Sequence, residues 1–158
     1  MSVLARAAAY AALFIGFVLV FVPARLLSWS GMSRPATMGL AQLVAMVLGA
    51  AGAALALWCI ATFAFVGKGT PAPFDPPRRL VVRGPYHMVR NPMYLGAALV
   101  LASAALFYQS GSLAAYAALF WLAMHLFVLG YEEPTLRRAF GAEYEEYCRR
   151  IQRWWPKL

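Results

Sequence analysis

The chain contains four long apolar runs, and these limit the folds that it can adopt. The polar segments between and after them hold most of the charged residues. The apolar runs lie at about residues 7–22, 38–66, 92–108 and 113–130. About 20 apolar residues in a helix are enough to cross the hydrocarbon core of a bilayer, where a helix satisfies its own backbone hydrogen bonds. The sequence therefore predicts an all-α fold: an integral membrane bundle of four transmembrane helices with a cytoplasmic amphipathic C-terminal helix.

The composition favours a membrane protein and argues against other classes. The chain is 63% hydrophobic and 13% charged, whereas soluble domains are near half apolar and a quarter charged. A net charge of +8 would suit nucleic acid, but the cations flank apolar runs, as topology signals do, so we expect no nucleic-acid partner. The two cysteines and two histidines lack metal-ligand spacing, so we expect no metal site. We expect one membrane domain over residues 1–158.

The distribution of cations predicts the orientation of the chain. If the four runs cross in turn, only Arg25 and Arg34 lie on one side, and the other twelve of the fourteen lysines and arginines lie opposite. Positive charge favours the cytoplasmic side, so we expect both termini and the loop 67–91 there, in an inner or cytoplasmic membrane. Arg6 followed by an apolar run resembles a signal peptide, which we interpret as a retained anchor because further apolar runs follow.

The second apolar run contains an unbroken series of small residues. Residues 49–54 are all glycine or alanine. Small side chains let neighbouring helices approach closely in a membrane. Such packing suits contacts within the bundle and contacts between copies equally, so the sequence leaves the oligomeric state open.

The loop 67–91 ends in a predicted helix start, and two carboxylates stand at the far end of the following hairpin. Asn91 followed by Pro92 is typical of an N-cap and the first helical position. A helix start attracts anionic groups. Glu132 and Glu133 lie where the fourth run leaves the membrane, a costly place for charge unless it is solvated or paired. A hairpin would bring these two ends to the same face.

The tail at 134–153 is predicted to form one amphipathic helix. Glu145 with Arg149, and Glu146 with Arg150, have the i,i+4 spacing of helical ion pairs. The helix either lies on the membrane surface or closes a pocket over the loop 67–91. Its apolar stripe consists of Leu136, Phe140, Tyr144, Tyr147 and Ile151.

Four segments carry a family signature: Gly84-Pro85-Tyr86, Arg90-Asn91-Pro92-Met93-Tyr94-Leu95-Gly96, Glu132-Glu133 and Phe140-Gly141-Ala142-Glu143-Tyr144-Glu145-Glu146-Tyr147. Together they resemble the isoprenylcysteine carboxyl methyltransferase family, and related membrane phospholipid methyltransferases share much of the signature. The likeness covers roughly residues 76–156. It implies an integral membrane methyltransferase that uses S-adenosylmethionine and takes a lipophilic small molecule or lipid from the bilayer. The cofactor site would then face the cytoplasm.

The resemblance also implies roles for individual positions. No catalytic residue is assigned, and Tyr94, Arg90 and Glu133 are candidates for positioning the reactants. Val128 and Arg153 are candidates for contact with the substrate. We expect Glu132 to bind the cofactor, with an ion pair to Arg137, Arg138 or a loop arginine as the alternative. The cofactor-binding residues would be Arg78, Arg79, Leu80, Val81, Tyr86, Asn91, Pro92, Met93, Tyr94 and Glu132.

Two departures from the family pattern bear on the acceptor. The usual Arg-His-Pro is Arg90-Asn91-Pro92 here, and asparagine does not titrate as a general base does. Val128 stands where prenylcysteine enzymes place the arginine that holds a substrate carboxylate. A carboxylate acceptor is therefore disfavoured, while a phospholipid amine, a thiol or another lipophilic nucleophile stays open. A non-catalytic carrier or assembly protein that keeps the fold is the alternative from another class.

Overall fold

The computed structural model describes residues 9, 12–31, 35, 37–63, 65 and 79–157. Within these ranges every regular element is a helix and none is a strand, which confirms the predicted all-α class. The helices are α1 (Ala12–Trp29), α2 (Leu40–Thr62), α3 (Pro92–Tyr108), α4 (Gly111–Phe127), α5 (Glu133–Phe140) and α6 (Ala142–Arg150), with a short 3-10 helix at Gly84–His87.

Three of the described helical segments are long and apolar enough to cross a membrane. They are Ala12–Trp29, Leu40–Thr62 and the continuous stretch Gly111–Phe140, which joins α4 to α5. Helix α3 begins and ends where the sequence predicted, but its 17 residues make it a shorter apolar helix. The fourth crossing therefore stays a prediction.

Two π-helical segments explain why prolines do not end the helices that contain them. We expected the first apolar run to end at about Val22 and the fourth at about Gly130, and the helical segments that contain them continue to Trp29 and Phe140. The segments Ile15–Phe21 and Val128–Glu132 are π-helical, and each is followed by an α-helix whose second residue is proline. A proline in the first helical turn needs no backbone donor, so the chain stays helical.

Helices α2 and α3 pack through glycines at closest approach. A Cβ atom added to Gly52 would lie 2.7 Å from the carbonyl oxygen of Gly96, and one added to Gly96 would lie 2.8 Å from that of Gly52. A Cβ on Gly49 would lie 2.7 Å from Ser103 Oγ. The two glycines of the small-residue run of α2 therefore serve contacts within the chain, because a side chain at either position would meet α3.

Helix α1 lies against α4 and completes the bundle. The Tyr116 hydroxyl donates to the Val18 carbonyl oxygen at 3.0 Å, and the rings of Phe14 and Phe120 are 6.2 Å apart between centroids. The carbonyl of Val18 is available to Tyr116 because its π-helical partner, five residues on, is the nitrogen of Pro23, which carries no hydrogen. These contacts set α4 in place, and α4 leads to the paired glutamates.

The predicted single tail helix is wrong, because the tail contains two helices and an extended end. Gly141, with φ of 50°, separates α5 from α6 in a backbone conformation that glycine tolerates best. Helix α6 stops at Arg150, and Ile151 is extended. The C-terminal segment, which we define as residues 151–157, therefore runs back over the bundle instead of continuing the helix.

The break at Gly141 also changes the ion pairs of the tail. Glu146 pairs with Arg150 at 2.7 Å, as predicted, and also with Arg149. Glu145 pairs with Arg137 of α5 at 3.0 Å instead of Arg149, because the break brings the two short helices together. These contacts are exposed, so they contribute little to stability.

Candidate functional site

The loop before α3 is anchored between α2 and α6. Gly84 has a φ of 58°, and a Cβ there would lie 3.1 Å from Thr62 Oγ1. The ring of Tyr86 is buried and meets Phe63 edge-on, with centroids 5.1 Å apart. Its carbonyl oxygen accepts a 2.7 Å hydrogen bond from the Tyr147 hydroxyl. Burial raises the pKa of Tyr147, so the hydroxyl stays protonated and keeps donating.

Asn91 stands at the start of α3 as predicted, but its side chain does not cap the helix. Its Nδ2 donates to the Arg153 carbonyl oxygen at 3.3 Å, and its backbone N–H donates to the same oxygen at 3.3 Å. The backbone N–H of Arg90 donates to the Gln152 carbonyl oxygen at 2.9 Å. The C-terminal segment therefore occupies donors that the sequence suggested for an anionic ligand.

Glu133 is the centre of a buried ionic cluster. Its side chain accepts two hydrogen bonds from the Arg153 guanidinium, at 2.7 and 3.0 Å, and lies 3.2 Å from Arg90 Nη2. The Arg90 side chain is only 10% exposed and also donates to Cys148 Sγ, so it is buried inside the protein and does not lie among lipid headgroups. The hydrogen bond to Glu133 raises the pKa of Arg153. Both arginines are thus committed to one carboxylate.

Glu132 has a different environment from its neighbour. Its Oε2 accepts a 2.9 Å hydrogen bond from the Tyr94 hydroxyl. No ion pair and no further hydrogen bond joins Glu132 to any of the described residues. Arg137 and Arg138, expected as alternative partners, contact Glu145 and Thr135 instead. Within the described structure, Glu133 is thus neutralised by two arginines, whereas Glu132 can accept further hydrogen bonds.

Aromatic and sulfur-containing side chains surround the Tyr94–Glu132 pair. Tyr94, Val128 and Trp154 form one buried cluster, and Met93 packs both against it and against the neighbouring cluster that contains Tyr86. Val128 is fully buried in this cluster, and its contact with a substrate stays a prediction. Trp154 packs on Trp121, with centroids 4.5 Å apart.

The remaining predicted positions divide between the site and its surroundings. Val81 is buried in the cluster with Tyr86, Leu80 is partly buried, and Arg79 is exposed. Pro92 is buried at the first position of α3. Arg78 lies outside the described residues. The structure thus brings Tyr94, Met93 and Glu132 close to one another and places Arg153 on Glu133.

Sequence reasoning missed a contact between the tail and α4. The indole N–H of Trp154 donates to His125 Nδ1 at 3.0 Å. The one available signal was a histidine within an apolar run, where a polar side chain requires a partner. Its partner could not be named, because the predicted tail helix ended at Arg153 and left the path of Trp154 unspecified.

Comparison with known proteins decides the family. A model of the phospholipid methyltransferase family matches residues 40–143, well over half of the chain. The chain belongs to the phospholipid methyltransferase family. The comparison with curated proteins found no match. The match confirms the family resemblance noted in the sequence and identifies a membrane methyltransferase. In this phospholipid methyltransferase family member, the matched region includes both glutamates and the start of α3.

Proposed function

We propose that this protein transfers a methyl group from S-adenosylmethionine to a lipophilic acceptor in the membrane, at a site built around Glu132. The observation that carries the proposal is the contrast between two adjacent carboxylates. Glu133 is neutralised by two arginines, whereas Glu132 accepts only from Tyr94 among the described residues. A carboxylate kept without a cation at the end of an apolar helix is typical of a functional site.

The residues near Glu132 suit this cofactor. The second oxygen of Glu132, which has no partner among the described residues, can accept from ribose hydroxyls or an amino group. Tyr94 and Trp154 are aromatic side chains of the buried cluster beside Glu132, and aromatic faces attract onium groups. Arg78, Arg79 and Leu80 would border the cofactor, as the family resemblance implies. When bound, S-adenosylmethionine supplies an activated methyl group, so the chain's own residues need to bind, orient and exclude water.

We further propose that the single domain crosses the membrane four times, with both termini and the site in the cytoplasm. Helix α3 is short, but the α3–α4 hairpin turns tightly at Gln109, which has a left-handed backbone conformation. The helical segments on either side of α3, Leu40–Thr62 and Gly111–Phe140, are long and apolar enough to cross. The loop before α3 contacts the C-terminal segment, so these two cation-rich parts of the chain lie on one side.

The ionic cluster favours an amine headgroup as acceptor over a carboxylate. Arg90 and Arg153 are engaged by Glu133, and Val128 offers no charge. A carboxylate brought beside Glu132 would meet a like charge, which is unfavourable in a partly dry site. An amine headgroup would be attracted instead, which supports methylation of a phospholipid nitrogen over the isoprenylcysteine type of reaction.

The test is calorimetric binding of S-adenosylhomocysteine to detergent-purified protein. We expect the wild type to bind, and Glu132→Gln to bind at least about tenfold more weakly, because a hydrogen bond to a charged acceptor is lost. Glu143→Gln, which changes an exposed glutamate of α6, is the matched control and should bind like the wild type. Well-folded wild type that does not bind would contradict the proposal and favour a non-catalytic membrane protein.

A further inference from the structure

The C-terminal segment inserts one tryptophan into the bundle and leaves its neighbour outside. Trp154 is 8% exposed, whereas Trp155 is 69% exposed. The carbonyls of Gln152 and Arg153 accept from the backbone before α3, which aligns the segment just ahead of the tryptophans. The segment is therefore held by these backbone contacts, by the ion pair of Arg153 with Glu133 and by the insertion of Trp154.

His125 of α4 fixes the orientation of the inserted indole. The Trp154 N–H donates to His125 Nδ1 at 3.0 Å, and the two rings have centroids 5.9 Å apart. An indole N–H buried without an acceptor is unfavourable, so this bond selects one rotation of the ring. The bond requires that Nδ1 of His125 carries no proton.

A continuous series of contacts leads from His125 to Glu132. Trp154 packs in one buried cluster with Tyr94 and Val128, and the Tyr94 hydroxyl donates to Glu132. Because close-packed side chains transmit displacements to their neighbours, a rotated indole would shift the Tyr94 ring and its hydroxyl. The position of the Glu132 carboxylate is thus tied to the hydrogen bond that His125 of α4 makes with Trp154.

We propose that His125 is a positioning residue which, by holding Trp154, sets the Tyr94–Glu132 pair in the geometry that binds the cofactor. This inference rests on the proposed function. It gives the C-terminal segment and His125 a role in that site. Among the described contacts, His125 bonds to Trp154 and to neither Glu132 nor Tyr94. His125 acts through Trp154 and touches no reacting atom.

The experiment is a double-mutant cycle with the dissociation constant of S-adenosylhomocysteine as its readout. His125→Leu removes the acceptor, and His125→Asn restores an oxygen near the position of Nδ1. Trp154→Phe keeps an aromatic ring and removes the N–H. Trp155→Phe is the matched control, because that side chain is largely exposed. Thermal melting and size-exclusion profiles in detergent establish that each variant is folded.

We expect His125→Leu and Trp154→Phe each to weaken binding about three- to tenfold, the loss of one buried hydrogen bond. The double variant should be no weaker than either single variant, His125→Asn should recover most of the affinity, and Trp155→Phe should match the wild type. If His125→Leu does not fold, the inference is tested by comparing the dissociation constants of Trp154→Phe and Trp155→Phe.

Three results would overturn the inference: additive losses in the double variant, no recovery by His125→Asn, or equal losses from the two tryptophan variants. Additive losses would mean that the two side chains act independently. A wild type that fails to bind would overturn both this inference and the proposed function. A wild type that binds while the variants behave additively would overturn the inference alone.

Discussion

Glu133→Gln is the substitution that most directly tests how the tail is held on the bundle. The substitution keeps the size of the side chain and removes the negative charge shared by Arg90 and Arg153. Arg153 makes two hydrogen bonds to that carboxylate, at 2.7 and 3.0 Å, and Arg90 lies at 3.2 Å. After the change, Arg90 would still be only 10% exposed, and none of the described residues that contact it would carry a negative charge.

The burial of each partner sets the size of the expected effect. Removing one member of a buried ion pair costs about 3–5 kcal/mol, because the partner is left as an uncompensated charge. We expect Glu133→Gln to lie in that range. Arg153→Gln should cost less, about 1–3 kcal/mol, because Arg153 is 28% exposed and Glu133 keeps its contact with Arg90.

The assay is reversible unfolding by sodium dodecyl sulfate in mixed micelles, which gives the free energy of unfolding. Glu146→Gln is a matched control, because Glu146 also contacts two arginines but on the exposed surface of α6. The control should leave stability unchanged within error. A loss from Glu133→Gln no larger than that of the control, or smaller than that of Arg153→Gln, would refute the view that this cluster holds the tail.

Two further predictions test packing and the start of α3. Gly96→Ala should prevent close approach of α2 and α3 and sharply lower the yield of folded protein, since its Cβ would lie 2.8 Å from the Gly52 carbonyl oxygen. Gly111→Ala should be tolerated, because a Cβ there has nothing within 4 Å. Size-exclusion chromatography compares the yields of folded protein from the two variants. Asn91→Asp should destabilise the fold by about 1–3 kcal/mol, because the Arg153 carbonyl oxygen loses its side-chain donor and faces a carboxylate. An N-cap role would instead leave stability unchanged, since aspartate caps as well as asparagine.

The sequence predicted the membrane helices well where a local rule governs the backbone. Helix α3 begins at Pro92 and ends at Tyr108 as expected, because proline fixes the start and the chain reverses at Gln109. Helix α1 and the helical stretch that starts with α4 each continue past a proline, beyond the predicted ends of their apolar runs. The rule that proline ends a helix assumes α-helical hydrogen bonding, and the π-helical segments before Pro23 and Pro134 remove that condition.

The candidate site was predictable only in part, since several of its contacts depend on the path of the C-terminal segment. The hairpin argument placed α3 near the two glutamates, and Tyr94 does bond to Glu132. Nothing local indicated that the carbonyl of Arg153 would take the donors of Asn91, or that Trp154 would reach His125. Such pairings join residues distant in sequence, and one glycine with positive φ at Gly141 redirects the chain that makes them.

The most direct test of the central claim is transfer of a labelled methyl group from S-adenosylmethionine to lipid by the purified protein in vesicles. Vesicles containing phosphatidylethanolamine supply an amine acceptor, and vesicles of phosphatidylglycerol alone serve as the control without an amine. We predict label in the extracted lipid only with phosphatidylethanolamine, reduced at least about tenfold by Glu132→Gln. Equal transfer by the wild type and Glu132→Gln would contradict a methyltransferase site built on Glu132, and no transfer by folded wild type would contradict an amine phospholipid as the acceptor.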